Sequence, residues 1–224
     1  MLSGAGVTKA SKVSSNKNGD ATSADEQFDS LRNQLKKMLR SALMERDESF
    51  SFFTDIRVVL LSGDLIWRRI KSYQPEVLLG IGLCRMPLLH AVALAANADG
   101  HAIQVLMVRE KRKKHNLKKW VEGAAPTKGA TAILISDYFA DADALAFVNS
   151  ALKADNYLVD IQAISMVLDL TMCADLSYAV FGPEKIVSIF STNEFEAESR
   201  DGANRLLSLI EECRLQDFSL SETA

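Results

Sequence analysis

Three aspartates follow one apolar run. Ala132-Ile133-Leu134-Ile135-Ser136 leads into Asp137, and Asp141 and Asp143 come shortly after. The run reads as a buried parallel strand, and the Ala-rich stretch after it as the start of a helix. In open α/β sheets ligands bind at such strand ends. A strand-to-helix turn of this kind ordinarily cradles phosphate with small residues, hydroxyls and backbone amides. Here Ala140-Asp141-Ala142-Asp143-Ala144 occupies that place. A carboxylate about 4 Å from a unit charge costs about 1 kcal/mol in water and about 4 kcal/mol at an effective dielectric near 20. Micromolar affinity is worth about 8 kcal/mol. Two such carboxylates therefore leave the turn without phosphate, or fit it to a cation or a basic partner, unless their side chains point outward.

A second stretch has the opposite sign. From Arg109 to Lys119, seven of eleven residues are Lys or Arg. With no apolar face to bury, this reads as a solvated loop. Its chemistry is that of polyphosphate capture, of nucleic-acid contact, of a basic sorting signal, or simply of a wet surface. Aromatics that could stack on bases are scarce, with Trp120 alone at its end. Net charge is -3 and no helix-turn-helix pattern is found in residues 1–50, so nucleic acid is disfavoured as a partner.

The elements that must position these residues alternate. Residues 1–25 are polar and read as a disordered tail, without the apolar centre of a secretory signal. Helical spacing of Phe28, Leu31, Leu35, Met38, Leu39 and Leu43 predicts an amphipathic helix over 26–44, capped by Asp25. Ile56 to Leu61 is rich in β-branched residues and reads as a strand or extended segment. Ser62-Gly63-Asp64 then reads as a turn before a helix over 64–73. Strands follow at 77–81, 101–108, 131–136, 158–168 and 186–190. Helices are expected at 87–96, 142–153, 172–181 and 195–213. His90 on the first of these reads as a packed side chain. Alternation from residue 77 onward calls for a mostly parallel sheet covered on both faces.

Composition is that of a globular chain, 48% hydrophobic and 25% charged over 224 residues. No apolar run is long enough to span a membrane. Cys84, Cys173 and Cys213 lack metal-ligand spacing and read as reduced core thiols in a cytoplasmic protein.

Taken in order, five pieces resemble the type I phosphoribosyltransferases, and orotate phosphoribosyltransferase in particular. Phe52-Phe53-Thr54-Asp55-Ile56-Arg57 resembles the aromatic segment of that family's hood, which implies a substrate-binding role for Phe52 and Phe53. Gly80-Ile81-Gly82-Leu83-Cys84-Arg85-Met86-Pro87-Leu88 resembles its pyrophosphate loop. Val108 to Gly123 resembles its flexible catalytic loop, 133–145 its phosphoribosyl-pyrophosphate (PRPP) signature, and 186–191 its late strand. The resemblance implies a type I phosphoribosyltransferase fold divided into a 26–75 helix and hood, a 76–195 core and a 196–224 C-terminal helix and tail. It implies displacement of pyrophosphate from PRPP by a base, in pyrimidine nucleotide metabolism. Arg109, Lys113 and His115 would stabilise pyrophosphate, and Asp137 would hold the ribose or a magnesium ion. Gly80, Arg85, Lys111 and Ala140 to Ala144 (with Asp141, Ala142 and Asp143) would contact PRPP. Mg2+ is implied only with PRPP bound. A homodimer is implied too, since the basic loop of the family reaches into the neighbouring subunit, or else a heterodimer with an active transferase.

The departures are specific. Cys84-Arg85 stands at the glycine pair of the pyrophosphate loop. Glu110 stands where a lysine is expected, with Lys111 next to it. Ser136 replaces the first of two acids before the phosphate turn. That turn lacks the family's Thr-x-Gly-x-Ser/Thr. Leu170 replaces the arginine of a Leu-Asp-Arg triplet, and Glu45-Arg46-Asp47-Glu48-Ser49 replaces a Leu-Lys-Ser-Gly motif. Two readings follow: a divergent transferase, or an inactive binding or regulatory protein on the same fold.

Overall fold

A computed structural model describes residues 18–44, 55–112, 119–139, 142–169, 185–191 and 194; for 18–22, 24, 41–44, 138–139 and 142–143 it describes the backbone only. The elements are α1 (Asn18–Met44), α2 (Ile56–Ile70), β1 (Val77–Ile81), α3 (Met86–Ala98), β2 (Gln104–Val108), β3 (Val121–Glu122), β4 (Ala130–Phe139), α4 (Ala142–Ala154), β5 (Val159–Asp169) and β6 (Ile186–Ser191).

Six strands form one sheet in the order β3-β2-β1-β4-β5-β6. All neighbours are parallel except β2 and β3, which are antiparallel through Met107–Glu122 and Val108–Val121. The chain builds outward from β1 in one direction and from β4 in the other. The crevice at the C-terminal ends of β1 and β4 is therefore the topological switch point, the place where such sheets take ligands.

Side-chain alternation along β4 explains the layers. Ile133 and Ile135 join the core beneath α1, α2 and α3, with Leu35, Leu39, Trp67, Leu89 and Phe190. Ala132 and Leu134 join the opposite core beneath α4, with Leu79, Leu106, Val148 and Leu152. The sheet is thus covered on both faces. Among the described residues no helix is long and apolar enough to cross a membrane.

Residues 56–70 depart from the expected strand and turn: they are one helix. Asp55 caps it, accepting from the Arg57 N–H at 2.8 Å. Hydrogen bonds from the Arg57 side chain and backbone lower the Asp55 carboxyl to about 2. Burial of Val58, Val59, Ile66 and Ile70 overrides their β-branched preference. Gly63 is not a turn residue. A Cβ there would lie 2.6 Å from the backbone carbon and Cβ of Ala91, so its absence lets α2 and α3 touch.

Two further expectations change. The first helix begins at Asn18 rather than near residue 26, and Asp25 lies inside it, exposed, rather than at its cap. The two-residue β3 was not anticipated. It is held by Asp155, whose carboxylate accepts from the Trp120 and Val121 N–H groups at 2.7 and 2.8 Å. Tyr157 also donates its hydroxyl to the Gly123 carbonyl at 2.8 Å. The helices expected over 172–181 and 195–213 lie outside the described residues.

Candidate functional site

Four segments meet at the C-terminal edge of the sheet around the switch point. Behind β1, Gly82 adopts φ +74, a conformation open to glycine at little cost. Its N–H donates to the Val108 carbonyl at 2.8 Å, tying the loop to the end of β2. A Cβ on Gly82 would lie 2.2 Å from Oε1 of Glu110, so the Glu110 carboxylate packs directly over this glycine. Leu83 and Cys84 are exposed, and α3 starts directly after Arg85. Pro87 sits in the first turn of that helix, where its missing N–H costs nothing.

From Arg85 the side chain turns back into the crevice. Its Nε donates to Oδ1 of Asp137 at 3.2 Å, and its Nη1 donates to the Ile81 carbonyl at 3.1 Å. Asp137 is 7% exposed. Ser136 Oγ donates to the same Oδ1 at 3.2 Å. A buried carboxylate is tolerable when paired and hydrogen-bonded, and Arg85 and Ser136 supply both conditions. Cys84 lies close by. Desolvation raises its thiol pKa; Arg85 opposes the rise, and the Asp137 and Glu110 carboxylates add to it. Cys84 is thus an exposed residue of the crevice rim and not the core thiol expected. Cys173 and Cys213 lie outside the described residues.

The sequence-predicted residues divide in three. Arg85 and Asp137 are brought together. Arg109 and Lys111 leave β2 on the same edge. Arg109, however, is committed to β3: its N–H donates to the Trp120 carbonyl and its guanidinium to Glu122, both at 2.8 Å. Lys111 is exposed. Gly80 lies within β1, buried, and a Cβ there would meet Leu89 Cδ1 at 2.3 Å. Its glycine serves strand–helix packing, which is a different role from the ligand contact expected. Ala144 is partly buried on α4. Of Ala142 and Asp143 only the backbone, at the start of α4, is described. Phe52, Phe53, Lys113, His115, Ala140 and Asp141 lie outside the described residues.

Two carboxylates at this edge were missed. Glu110 was read only as a misplaced lysine, although its place directly after a strand is a signal in itself. Asp169 ends β5 and is 8% exposed, next to the Phe139 end of β4.

Magnesium, which the resemblance implies alongside PRPP, takes oxygen ligands, commonly one or two carboxylates plus phosphate oxygens. The Asp137 oxygen that would serve already accepts from a guanidinium. A divalent ion beside that guanidinium would meet like charge at close range. Among the described residues no group of three His, Cys, Asp or Glu side chains suits a metal ion. Asp137, held against Arg85, is therefore poorly suited to ligate the ion.

Comparison with solved structures supplies the class. A phosphoribosyltransferase from Corynebacterium diphtheriae superposes with a TM-score of 0.57 at 20% identity, covering 72% of this chain and 96% of that one. The orotate phosphoribosyltransferase of Mycobacterium tuberculosis, solved with 5-phospho-α-D-ribosyl 1-diphosphate, superposes with a TM-score of 0.53 at 18% identity, covering 72% and 89%. No protein-family model matches the chain, and no curated protein matches it either. The chain has the type I phosphoribosyltransferase fold.

Proposed function

We propose that this chain is a phosphoribosyltransferase-fold binding protein whose crevice takes a phosphorylated ribose compound of the PRPP kind without transferring a base to it. One observation carries the reading: the switch-point crevice is occupied from within by the buried Arg85–Asp137 pair, 3.2 Å apart. The carboxylate that a transferase of this fold would turn toward ribose is held by its own loop. Fold likeness alone does not give an activity. The composition of 140–144, with neither glycine nor hydroxyl, points the same way. The basic run from Arg109 retains the charge to attract a polyphosphate.

Turnover is the second reading, with orotate or another base as acceptor. The orotate phosphoribosyltransferase solved with PRPP favours it, because that protein shares this fold and carries that ligand.

Calorimetric titration with PRPP, run beside an assay of pyrophosphate release with orotate and other bases, separates them. Micromolar PRPP affinity with no pyrophosphate release supports the binding protein. Base-dependent release supports the transferase. Absence of any PRPP affinity rejects both.

In either reading the chain acts as a pair, with a second copy or with an active transferase. Exposed Ile56 and Leu60 on α2, Leu83 beside the crevice and Leu94 on α3 supply apolar surface for such a contact. Light scattering should give twice the mass of 24.6 kDa for the homodimer.

A further inference from the structure

The Arg85–Asp137 pair has a chemical consequence for how the crevice handles anions. Oδ1 of Asp137 receives two donors, Arg85 Nε and Ser136 Oγ, each at 3.2 Å. The guanidinium is fixed at a second point by the Ile81 carbonyl, 3.1 Å from Nη1. Both side chains are largely withdrawn from solvent, at 15% and 10% exposure. A planar guanidinium clamped at two points is preorganised: its charge and donor directions are set before a ligand arrives. It is also the residue type best matched to phosphate oxygens.

We infer that Arg85 takes the part a divalent cation would play beside Asp137, so that phosphorylated ligands bind in this crevice without magnesium. Asp137 is then a positioning residue for Arg85 and not a metal ligand. Three observations converge on this. The carboxylate faces a fixed positive charge that belongs to the chain itself. Ser136 Oγ adds a second donor from the chain to the same carboxylate oxygen. The loop that carries Arg85 is anchored at both ends, by the Gly82 N–H on Val108 and by the α3 helix that starts directly after Arg85. Glu110 over Gly82 closes the flank of the crevice with an exposed carboxylate. The preferred anion must therefore approach on the Arg85 side of that carboxylate.

The choice of PRPP as ligand rests on the function proposed above, but the metal half of the inference does not, and the test keeps them apart. The full-length chain is titrated with Mn2+ alone and free Mn2+ is followed by electron paramagnetic resonance. Arg85→Ala, Arg85→Gln, Asp137→Asn and Arg85→Gln/Asp137→Asn are treated in the same way. Arg85→Gln retains a donor for the Ile81 carbonyl, so a folded variant remains if the alanine change unfolds the loop; circular dichroism checks both. The natural chain should show no Asp137-dependent uptake. Removing the guanidinium should tighten Mn2+ binding at least tenfold, and Asp137→Asn should abolish that gain. Asp137-dependent uptake by the natural chain overturns the inference. So does failure of both folded Arg85 variants to gain an ion, since Arg85 would then not be holding a cation's place. PRPP titrations in excess chelator and in excess magnesium complete the test. Affinities within threefold of each other are expected, and a tenfold loss in chelator overturns the metal-free reading. Absence of PRPP binding in both buffers overturns the ligand assignment while leaving the Mn2+ result to decide the role of Arg85.

Discussion

The two ends of the sheet solve opposite problems. At the C-terminal end, charged side chains are withdrawn from solvent: Asp137 buried against Arg85, Asp169 buried at the end of β5, and Glu194 half-buried against Arg32 beside β6. At the N-terminal end lies a groove of about 470 Å³, lined by Glu76, Ile103, Gln104, Pro126, Thr127 and Ala130. Its polar groups are occupied with local backbone: Glu76 accepts from the Thr131 N–H at 3.3 Å, and the Gln104 amide donates to the Ala124 carbonyl. This groove is chemically quiet, and the end at the switch point carries the charge. A cavity measures space, whereas binding chemistry needs convergent polar groups that are costly to keep.

That contrast can be broken most forcefully at Asp137. Asp137→Ala leaves Arg85 buried with half its support and should cost about 3 kcal/mol. For a domain of this size the melting temperature would fall by roughly 10 °C, read by differential scanning calorimetry. Replacing both partners, as in Arg85→Met/Asp137→Leu, should recover much of that loss, because the desolvation cost goes with the charges. Loss of less than 1 kcal/mol in the single variant would mean that the C-terminal end is no more charge-dependent than the other.

Next in size is an acid effect at the C-terminal end. Burial alone would raise the Glu194 carboxyl, but hydrogen bonds from the Ser191 N–H and Arg32, with the Arg32 charge, bring it below the ordinary value of 4.5. A carboxyl lowered in the folded state contributes stability that is present above its unfolded pKa and is lost as pH falls through the folded value. Urea midpoints of the natural chain should therefore fall more steeply below pH 4.5 than those of Glu194→Gln. Parallel curves for the two proteins would remove Glu194 from the acid response.

A smaller effect sharpens the electrostatics of the crevice rim. Arg85 lowers the Cys84 thiol against desolvation and two carboxylates, so Arg85→Gln should slow alkylation of Cys84 by iodoacetamide at pH 8, where the thiolate is the reacting form. An unchanged or faster rate would show that the guanidinium does not act on this sulfur. The smallest effect belongs to the other end. Glu76→Gln keeps an acceptor for the Thr131 N–H and should stay within about 0.5 kcal/mol of the natural chain in urea. A larger loss would show that the N-terminal end also depends on charge.

Much of this architecture was legible in the sequence, and for physical reasons. The apolar runs at 77–81, 132–135 and 163–168 are too uniformly hydrophobic for anything but buried strands, and the helical segments between them force a parallel sheet. Residues 56–64 misled because β-branched side chains and a Ser-Gly-Asp triplet carry local signals that long-range packing on α3 overrules. The site was legible by half. Arg85 could be seen to replace glycine in a phosphate-type loop, but its partner Asp137 is 52 positions away, and only folding reveals that the two meet. Neither could spacing show that Glu110 covers Gly82 or that Gly80 makes room for Leu89, since both depend on register between elements distant in the chain.

The short strand β3 has a consequence for how the chain could be recut. Both ends of the basic run are fastened independently of what lies between them. Arg109 holds one end through its N–H on the Trp120 carbonyl and its guanidinium on Glu122. Asp155 holds the other through two backbone N–H groups, with Trp120 packed edge-on against Phe147, ring centroids 5.7 Å apart. The sheet and α4 therefore do not need a continuous backbone there. Two fragments broken anywhere between these fastenings would still be joined through the sheet.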